Sequence, residues 1–393
     1  MARNASLTAA RAAKANEFYT QWVDIESEMN AYLEYDPDVF RGKTILLPCD
    51  DPEWSNFTKF FALHFVEYGL TKLISTSYAP NSNADASFYE PTLFELDAPA
   101  YDKKKSFERG RVFTLTADDI SGDGRVDIDD LRWEYLEGDG DFRSPEVTAL
   151  RDMSDVVITN PPFTEVGDFV EWLIEGQVKF SLIGPRSLIT YKRTFPLIRD
   201  NKMWIGKGFT KGNAYFRIPE EARSNYAKGV YDPETKLVHF RNCTWFTNLE
   251  HGRRHEPLEL LSMSDNLKYS RFREVREYGY REYVNLDDAI EVPRVSAIPK
   301  DYAGIMGVPI TFLDTYNPDQ FEVLASADDM DDMKSLGALQ LGQDFVDAYY
   351  AGGGTGGISA GHRKLGLLEP RVHTPYKRIL IRNRNPEVEE PAE

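Results

Sequence analysis

Cysteine is nearly absent from this chain, with two residues, Cys49 and Cys243, in 393. Two thiols cannot build a disulfide framework, so the fold must rest on a packed core. With 41% hydrophobic and 13% aromatic residues there is material for a large core and more than one domain. Long apolar runs are missing as well. No stretch approaches the ~20 apolar residues of a membrane span, and Met1 to Lys14 is Ala/Arg-rich with no apolar centre. The expectation is a cytoplasmic protein with no membrane partner. Basic charge is also short: 46 Lys and Arg against 64 Asp and Glu give a net charge of -18. That excess of acid argues against indiscriminate nucleic-acid binding but leaves room for a local basic face. The section from Arg186 to Arg281 is richer in base, with Lys192, Arg193, Lys202, Lys207, Lys211, Arg253, Arg254, Lys268, Arg271, Arg273 and Arg276. Each of these taken singly is as well explained by a solvated surface.

The stretch from Asp155 to Phe163, Asp-Val-Val-Ile-Thr-Asn-Pro-Pro-Phe, is the most informative one present. Asp155 to Thr159 is short, β-branched and unalternated, as a strand buried on both faces is. Two consecutive prolines end it and stiffen the turn. Val166, Phe169, Val170, Leu173 and Ile174 then recur at helical spacing, with acids on the other face. Asn160 to Phe163 therefore falls at the carboxyl end of a strand in an open α/β sheet, where such folds bind ligands. The residue types suit one chemistry. A conjugated amino group is a poor nucleophile, and two acceptors aimed at its protons favour the transition state in which nitrogen becomes tetrahedral and more positive. The Asn160 side-chain carbonyl and the Pro161 backbone carbonyl can both accept, Pro162 stiffens the turn, and Phe163 offers an apolar face for a planar group. The competing reading is an ordinary strand exit with an aromatic in the core.

Along the rest of the chain, Trp22, Ile25, Met29 and Leu33 mark a first helix. Residues 44–48 form a buried strand, followed by Cys49-Asp50-Asp51-Pro52 and a helix capped by Ser55 or Asn56. Leu73 to Tyr78 is a second strand, and this unit is the start of a doubly wound sheet. Residues 79–110 read as a polar, irregular insertion and Arg111 to Leu115 as a third strand. Ser144-Pro145-Glu146 starts a helix, and Phe180 to Gly184 is a buried strand. Residues 204–300 suggest a second, mostly β region. Ala351 to Gly361 lacks the lysine of a phosphate loop and reads as a flexible connection. Tyr376 to Ile381 could be a last strand, and the acidic tail after it is expected to be disordered.

These residues resemble a known family. Asn160-Pro161-Pro162-Phe163 matches the catalytic motif of amino-group methyltransferases that use S-adenosylmethionine. Glu17 to Gln21, Cys49 to Pro52 with Ser55 to Phe57, Gly138 to Ser144 and Gly307 to Leu313, in that order, are similar to the EcoRI-type adenine-specific DNA methyltransferases. The resemblance implies an α/β fold, a doubly wound Rossmann-like methyltransferase sheet with an added C-terminal target-recognition region. It divides the chain into a disordered 1–15, a cofactor-binding catalytic domain over 16–190 with insertions near 79–110 and 117–137, the remainder over 191–383 and a tail over 384–393. It implies that Asn160 to Phe163 bind a flipped adenine of duplex DNA. Phe18, Tyr19 and Thr20 would line the methionine end of S-adenosylmethionine, Asp50 and Asp51 its amino group or ribose, and Asp141 and Phe142 its adenine. No metal enters the chemistry, no obligate protein partner is implied, and a restriction-modification role with a GAATTC-like site is suggested.

Two departures stand out. The glycine-rich turn usual in the wider methyltransferase superfamily is missing from Cys49 to Trp54, where an acidic turn capping the next helix is the competing reading. An insertion, Asp119 to Asp130, has the spacing of an EF-hand-like calcium loop with Asp at the twelfth position, and fits an acidic surface loop equally well. Methylation of another planar amino nitrogen, an RNA guanine or a protein glutamine, stays open, as does a non-catalytic DNA-binding protein that kept the fold.

Overall fold

The computed structural model describes residues 19–51, 55–79, 101–120, 133–209, 214–217, 230–240 and 242–387. Phe18, the side chain of Tyr19, Lys211, most of the Asp119–Asp130 loop, residues 1–15 and the end of the tail lie outside them. The chain divides into two compact units. The first comprises residues 1–188 and 205–252, the second residues 189–204 and 253–393.

The first unit contains β1 (Tyr19–Thr20), α1 (Trp22–Tyr35), β2 (Thr44–Leu47), α2 (Asn56–Leu63), β3 (Lys72–Ser77), α3 (Lys103–Glu108), β4 (Arg111–Thr116), β5 (Trp133–Tyr135), α4 (Pro145–Asp152), β6 (Val156–Thr159), α5 (Val166–Glu175) and β7 (Lys179–Pro185). The chain re-enters it at β8 (Trp204–Ile205), followed by β9 (Ala214–Arg217), β10 (Tyr231–Asp232), β11 (Leu237–Phe240) and β12 (Cys243–Thr247). One sheet has the order β5-β4-β3-β2-β6-β7-β12-β8. Its centre is parallel: β2 pairs with β3 on one side and β6 on the other, and β6 with β7. β6 is buried at all four residues, as an unalternated apolar strand between helices must be. The flanks β4, β5 and β12 are antiparallel. This is the expected doubly wound, Rossmann-like class.

The capping signals act as read. The Ser55 hydroxyl accepts from Phe57 N at 3.0 Å, and Ser144 Oγ accepts from Val147 N at 3.2 Å with Pro145 opening α4. Part of the stretch expected to be irregular is regular. α3 forms because Asp102 accepts from Lys104 N and Lys105 N at 2.9 and 3.0 Å, satisfying two N-terminal donors. The apolar face of α2, with Phe57, Phe60, Phe61 and nearby Phe65, packs with Tyr32, Phe40, Ile45 and Trp245 into the main core.

Residues 205–252 return to the first unit. β12 extends the large sheet beyond β7, with Trp245 opposite Ile183. β9, β10 and β11 join β1 in a small antiparallel sheet of order β1-β9-β11-β10. The second unit holds another sheet, formed by β13 (Arg281–Glu282), β14 (Ala289–Glu291), β15 (Ile305–Pro309), β16 (Phe321–Ser326) and β17 (Arg378–Asn383) in the order β13-β14-β15-β17-β16. It also holds two short packed helices, Met263–Tyr269 and Arg273–Tyr278. No described helix is long and apolar enough to cross a membrane.

Candidate active site

β2 connects through α2 to β3 on one side, while its other neighbour is β6, so the strand order reverses between β2 and β6. A crevice opens at such a switch point beyond the carboxyl ends of the strands. The loops reaching that end are Pro48 to Asp51 after β2, Tyr78 and Ala79 after β3, and Asn160 to Phe163 after β6. Most of the residues singled out in the sequence thus gather at one end of one sheet.

Asp50 sits at the junction and is 5% exposed. One carboxyl oxygen accepts from Ser55 Oγ and the other from Thr159 Oγ1, both at 2.7 Å. Its backbone N donates to Thr76 O at 3.0 Å, and Thr76 Oγ1 donates to Pro48 O at 2.9 Å. Burial pushes the Asp50 carboxyl up to about 7, against the opposing pull of the Ser55 and Thr159 hydroxyls. Asp51 is engaged differently, by an ion pair at 2.8 Å with Arg111, whose guanidinium lies 5.4 Å from the centre of the Trp133 ring.

The Gly138-to-Arg143 loop is pressed onto the end of β3. Ala79 N donates to Asp139 O at 2.7 Å and Gly110 N to Gly138 O at 3.0 Å. Gly140 has φ +86°, and a Cβ there would lie 2.2 Å from Ser77 O. Only glycine permits both the conformation and the approach. Asp141 is thereby set beside Tyr78, whose hydroxyl donates to it at 3.3 Å. Burial raises the Asp141 carboxyl, but Arg143, donating from Nε and Nη2 at 2.9 and 2.8 Å, outweighs it and the net direction is down. Arg143 also reaches Glu165 just past the Asn-Pro-Pro-Phe turn, at 3.4 Å. Phe142 points the other way. It is 4% exposed and packs against Phe169 and Trp172 at 4.9 and 5.6 Å between ring centres, anchoring the loop to α5.

Asn160 is half-buried and follows Thr159 directly; Pro161 is buried, Pro162 and Phe163 half-buried. The Phe163 ring meets Phe216 of β9 and Phe240 of β11 edge-to-face, each at 6.5 Å. These two aromatics were invisible as site residues in the sequence, where the only sign was the apolar-polar alternation of Ala214 to Arg217. The small sheet also brings in Thr20, paired with Phe216. Directly opposed residues share a face, so Thr20 and Phe216 point the same way. Asn56 Nδ2 donates to Thr20 O at 2.7 Å, tying β1 to the start of α2. Thr20 Oγ1 is buried with no hydrogen-bond partner among the described residues. At the start of the acidic loop, Asp119 accepts from Thr116 N and Oγ1 at 2.8 and 2.7 Å, acting as a capping residue.

A family model described as "Adenine-specific methyltransferase EcoRI" matches residues 6–384. The chain is similar to the type II methyltransferase M.EcoRI of Escherichia coli, 37% identical over 328 residues that cover 82% of this chain and 90% of that protein. It is similar also to the type II methyltransferase M.MpnI of Mycoplasma pneumoniae, 32% identical over 326 residues that cover 80% and 83%. No solved structure matches it. A match across nearly the whole chain, with the Asn-Pro-Pro-Phe turn at the switch point of a doubly wound sheet, places this protein in the EcoRI-type family as an adenine-specific DNA methyltransferase.

Proposed function

We propose that this methyltransferase takes its methyl group from S-adenosylmethionine and delivers it to N6 of an adenine swung out of duplex DNA, as the modifying half of a restriction-modification pair. The observation that carries this reading is the convergence of Asp50, Asp141 and Asn160 to Phe163 at one end of the large sheet, with Thr20 of the small sheet tied to the start of α2. Thr20 supports the cofactor: a buried hydroxyl without a partner is costly unless a ligand supplies one. Its position on β1 suits the polar methionine end, to which Phe18 and Tyr19 are also assigned. Asp141 and Tyr78, joined to each other at the end of β3, are placed beside the adenosine end, where the carboxylate keeps lone pairs beyond those that Arg143 and Tyr78 use. Asp50 and Asp51 serve the cofactor through the loop they hold, since both carboxylates are already engaged. Phe142 serves it the same way, as the anchor of the Asp141 loop.

When bound, the donor supplies an electrophilic methyl on a sulfonium. The protein supplies orientation and charge stabilisation. Adenine N6 is paired and stacked in the duplex, so the base must leave the helix to be reached. The Asn160 side-chain carbonyl and the Pro161 backbone carbonyl accept from the amino group as it gains positive charge, and Phe163 stacks on the base. Having gained the methyl group, N6 is restored to a neutral amine by passing one proton to water.

The test is methyl transfer from labelled S-adenosylmethionine to duplex DNA, with nucleoside mass spectrometry to locate the methyl group. N6-methyladenine is expected from the wild type. Asn160→Ala should lose ~100-fold or more in single-turnover rate, as when one preorganised polar contact is removed, with calorimetric cofactor affinity nearly kept. Methyl on any other atom, or a near-wild-type rate in Asn160→Ala, would overturn the reading.

A further inference from the structure

We propose that Arg271 and Arg294, held together on the ring of Phe272, form a clamp for the phosphodiester backbone of the substrate duplex. The guanidinium carbons of Arg271 and Arg294 lie 4.8 and 5.2 Å from the centre of the same Phe272 ring. Both arginines are exposed, and Phe272 is half-buried in the turn between the helices Met263–Tyr269 and Arg273–Tyr278.

Several other cations of the basic section are already engaged. Arg273 pairs with Glu277 at 2.5 Å and Arg281 with Glu274 at 3.2 Å. Arg276 donates to the Ser270 carbonyl. Arg254 is buried over Trp204, and Lys192 pairs with Asp331 at 2.7 Å. Arg271 and Arg294 differ: among the described residues no carboxylate lies within ion-pair distance of either. In a chain with 64 acidic residues and a net charge of -18, two arginines left unpaired on one ring are a local reversal of charge.

The ring explains how two like charges tolerate each other. Its negative face attracts each guanidinium and orients its planar fork. The fork suits the non-bridging oxygens of a phosphate. A polyanion that neutralises both groups relieves their mutual repulsion. Flanking residues fit a nucleic-acid surface: Lys268 is exposed, and Tyr269, at 73% exposure, is among the most exposed large side chains. Arg294 lies beyond the basic section of the sequence, and only the fold brings it to Phe272.

The inference rests on duplex DNA as the substrate, and the experiment separates the two. Binding of a short duplex is followed by fluorescence anisotropy across a salt series, for wild type, Arg271→Gln with Arg294→Gln, Arg271→Lys with Arg294→Lys, and Phe272→Leu. The Gln pair should bind roughly tenfold more weakly at moderate salt, and its log–log salt slope should be shallower by about 2, since each phosphate contact contributes close to one. The loss should be equal on specific and unrelated duplexes, with melting temperature and cofactor binding unchanged. The Lys pair should keep the slope, and Phe272→Leu should fall between. If the wild type neither binds nor methylates DNA, the substrate reading fails. If the wild type methylates DNA and the Gln pair keeps the wild-type slope, the clamp alone fails. Loss confined to the specific duplex would make these residues base readers and overturn the phosphate assignment.

Discussion

Replacing Asp50 by Asn probes the junction of the site through the pH dependence of stability. The carboxyl is 5% exposed, and burial raises it from 3.8 to about 7, against the Ser55 and Thr159 hydroxyls. A group whose folded pKa lies above its unfolded value holds a proton in the folded chain where the unfolded chain has released it. Between about 4 and about 7 the folded state therefore binds more protons, and stability falls as pH rises through that window. Each tenfold difference in proton affinity is worth about 1.4 kcal/mol, so the displacement corresponds to about 4 kcal/mol as a ceiling. Relaxation around the ionised carboxylate lowers this, and about 2 kcal/mol is the working expectation. About two-thirds of that window lies between pH 5 and pH 8, which for a unit of this size is about 3–5 °C of melting temperature. Asn keeps the shape, offers one acceptor and two donors, and has no charge to bury; both hydroxyls can accept from it as well as donate. Asp24 and Glu28, raised by burial to about 6 and about 7, act in the same direction in both proteins. The difference between the two melting temperatures isolates Asp50. Scanning calorimetry at pH 5, 6, 7 and 8 should show Asp50→Asn gaining on the wild type as pH rises. A difference that stays constant from pH 5 to pH 8 would refute the reasoning.

Phe163→Ala should weaken duplex binding and extrusion together, by the ~1–3 kcal/mol of an aromatic–base stack; a fluorescent adenine analogue at the target position reports extrusion, and unchanged fluorescence would reduce Phe163 to a packing residue. Gly140→Ala should lower the melting temperature by several degrees and weaken cofactor binding, since φ +86° costs ~1–2 kcal/mol outside glycine and the new Cβ would strike Ser77 O. Gly138→Ala is its control, because the nearest atom to a Cβ there is 3.9 Å away; equal melting of the two variants would show that the loop is not pressed onto β3.

What the sequence disclosed was local. The strand Val156–Thr159, the prolines and the helix after them are contiguous, so period, breaker and cap could be read together. The caps at Ser55 and Ser144 were legible for the same reason. The small sheet was not, because Thr20 pairs with Phe216 almost two hundred residues away and no local signal records that. An aromatic in a loop is equally silent about its direction: Phe142 faces Phe169 and Trp172, and a ring over a ligand would read the same. Charge misleads for a related reason. A run of arginines shows how many there are, and only the fold shows that Glu277 and Glu274 occupy two of them.

The missing glycines after β2 become intelligible once the turn is seen in place. In a glycine-rich turn the backbone itself comes close to the ligand. Pro48 to Asp51 carries side chains throughout and is held by hydroxyl groups. Thr76 Oγ1 donates to Pro48 O, Ser75 Oγ to Asp50 O, and Ser55 and Thr159 to the Asp50 carboxyl. Ser75, Thr76 and Thr159 are all 0% exposed. Buried hydroxyls weaken a strand interior unless they are satisfied, and each of these three is satisfied at the same turn. The turn is thus bound to β3, to the start of α2 and to β6 at once. The strand that presents Asn160 shares a carboxyl with the loop after β2. The close backbone approach that glycine allows has moved to Gly110 and Gly140, where the Asp141 loop meets Ser77. The position of Asp141 relative to Asn160 is then set by side-chain chemistry at the first turn and by glycine at the second, the reverse of what a glycine-rich first turn would do.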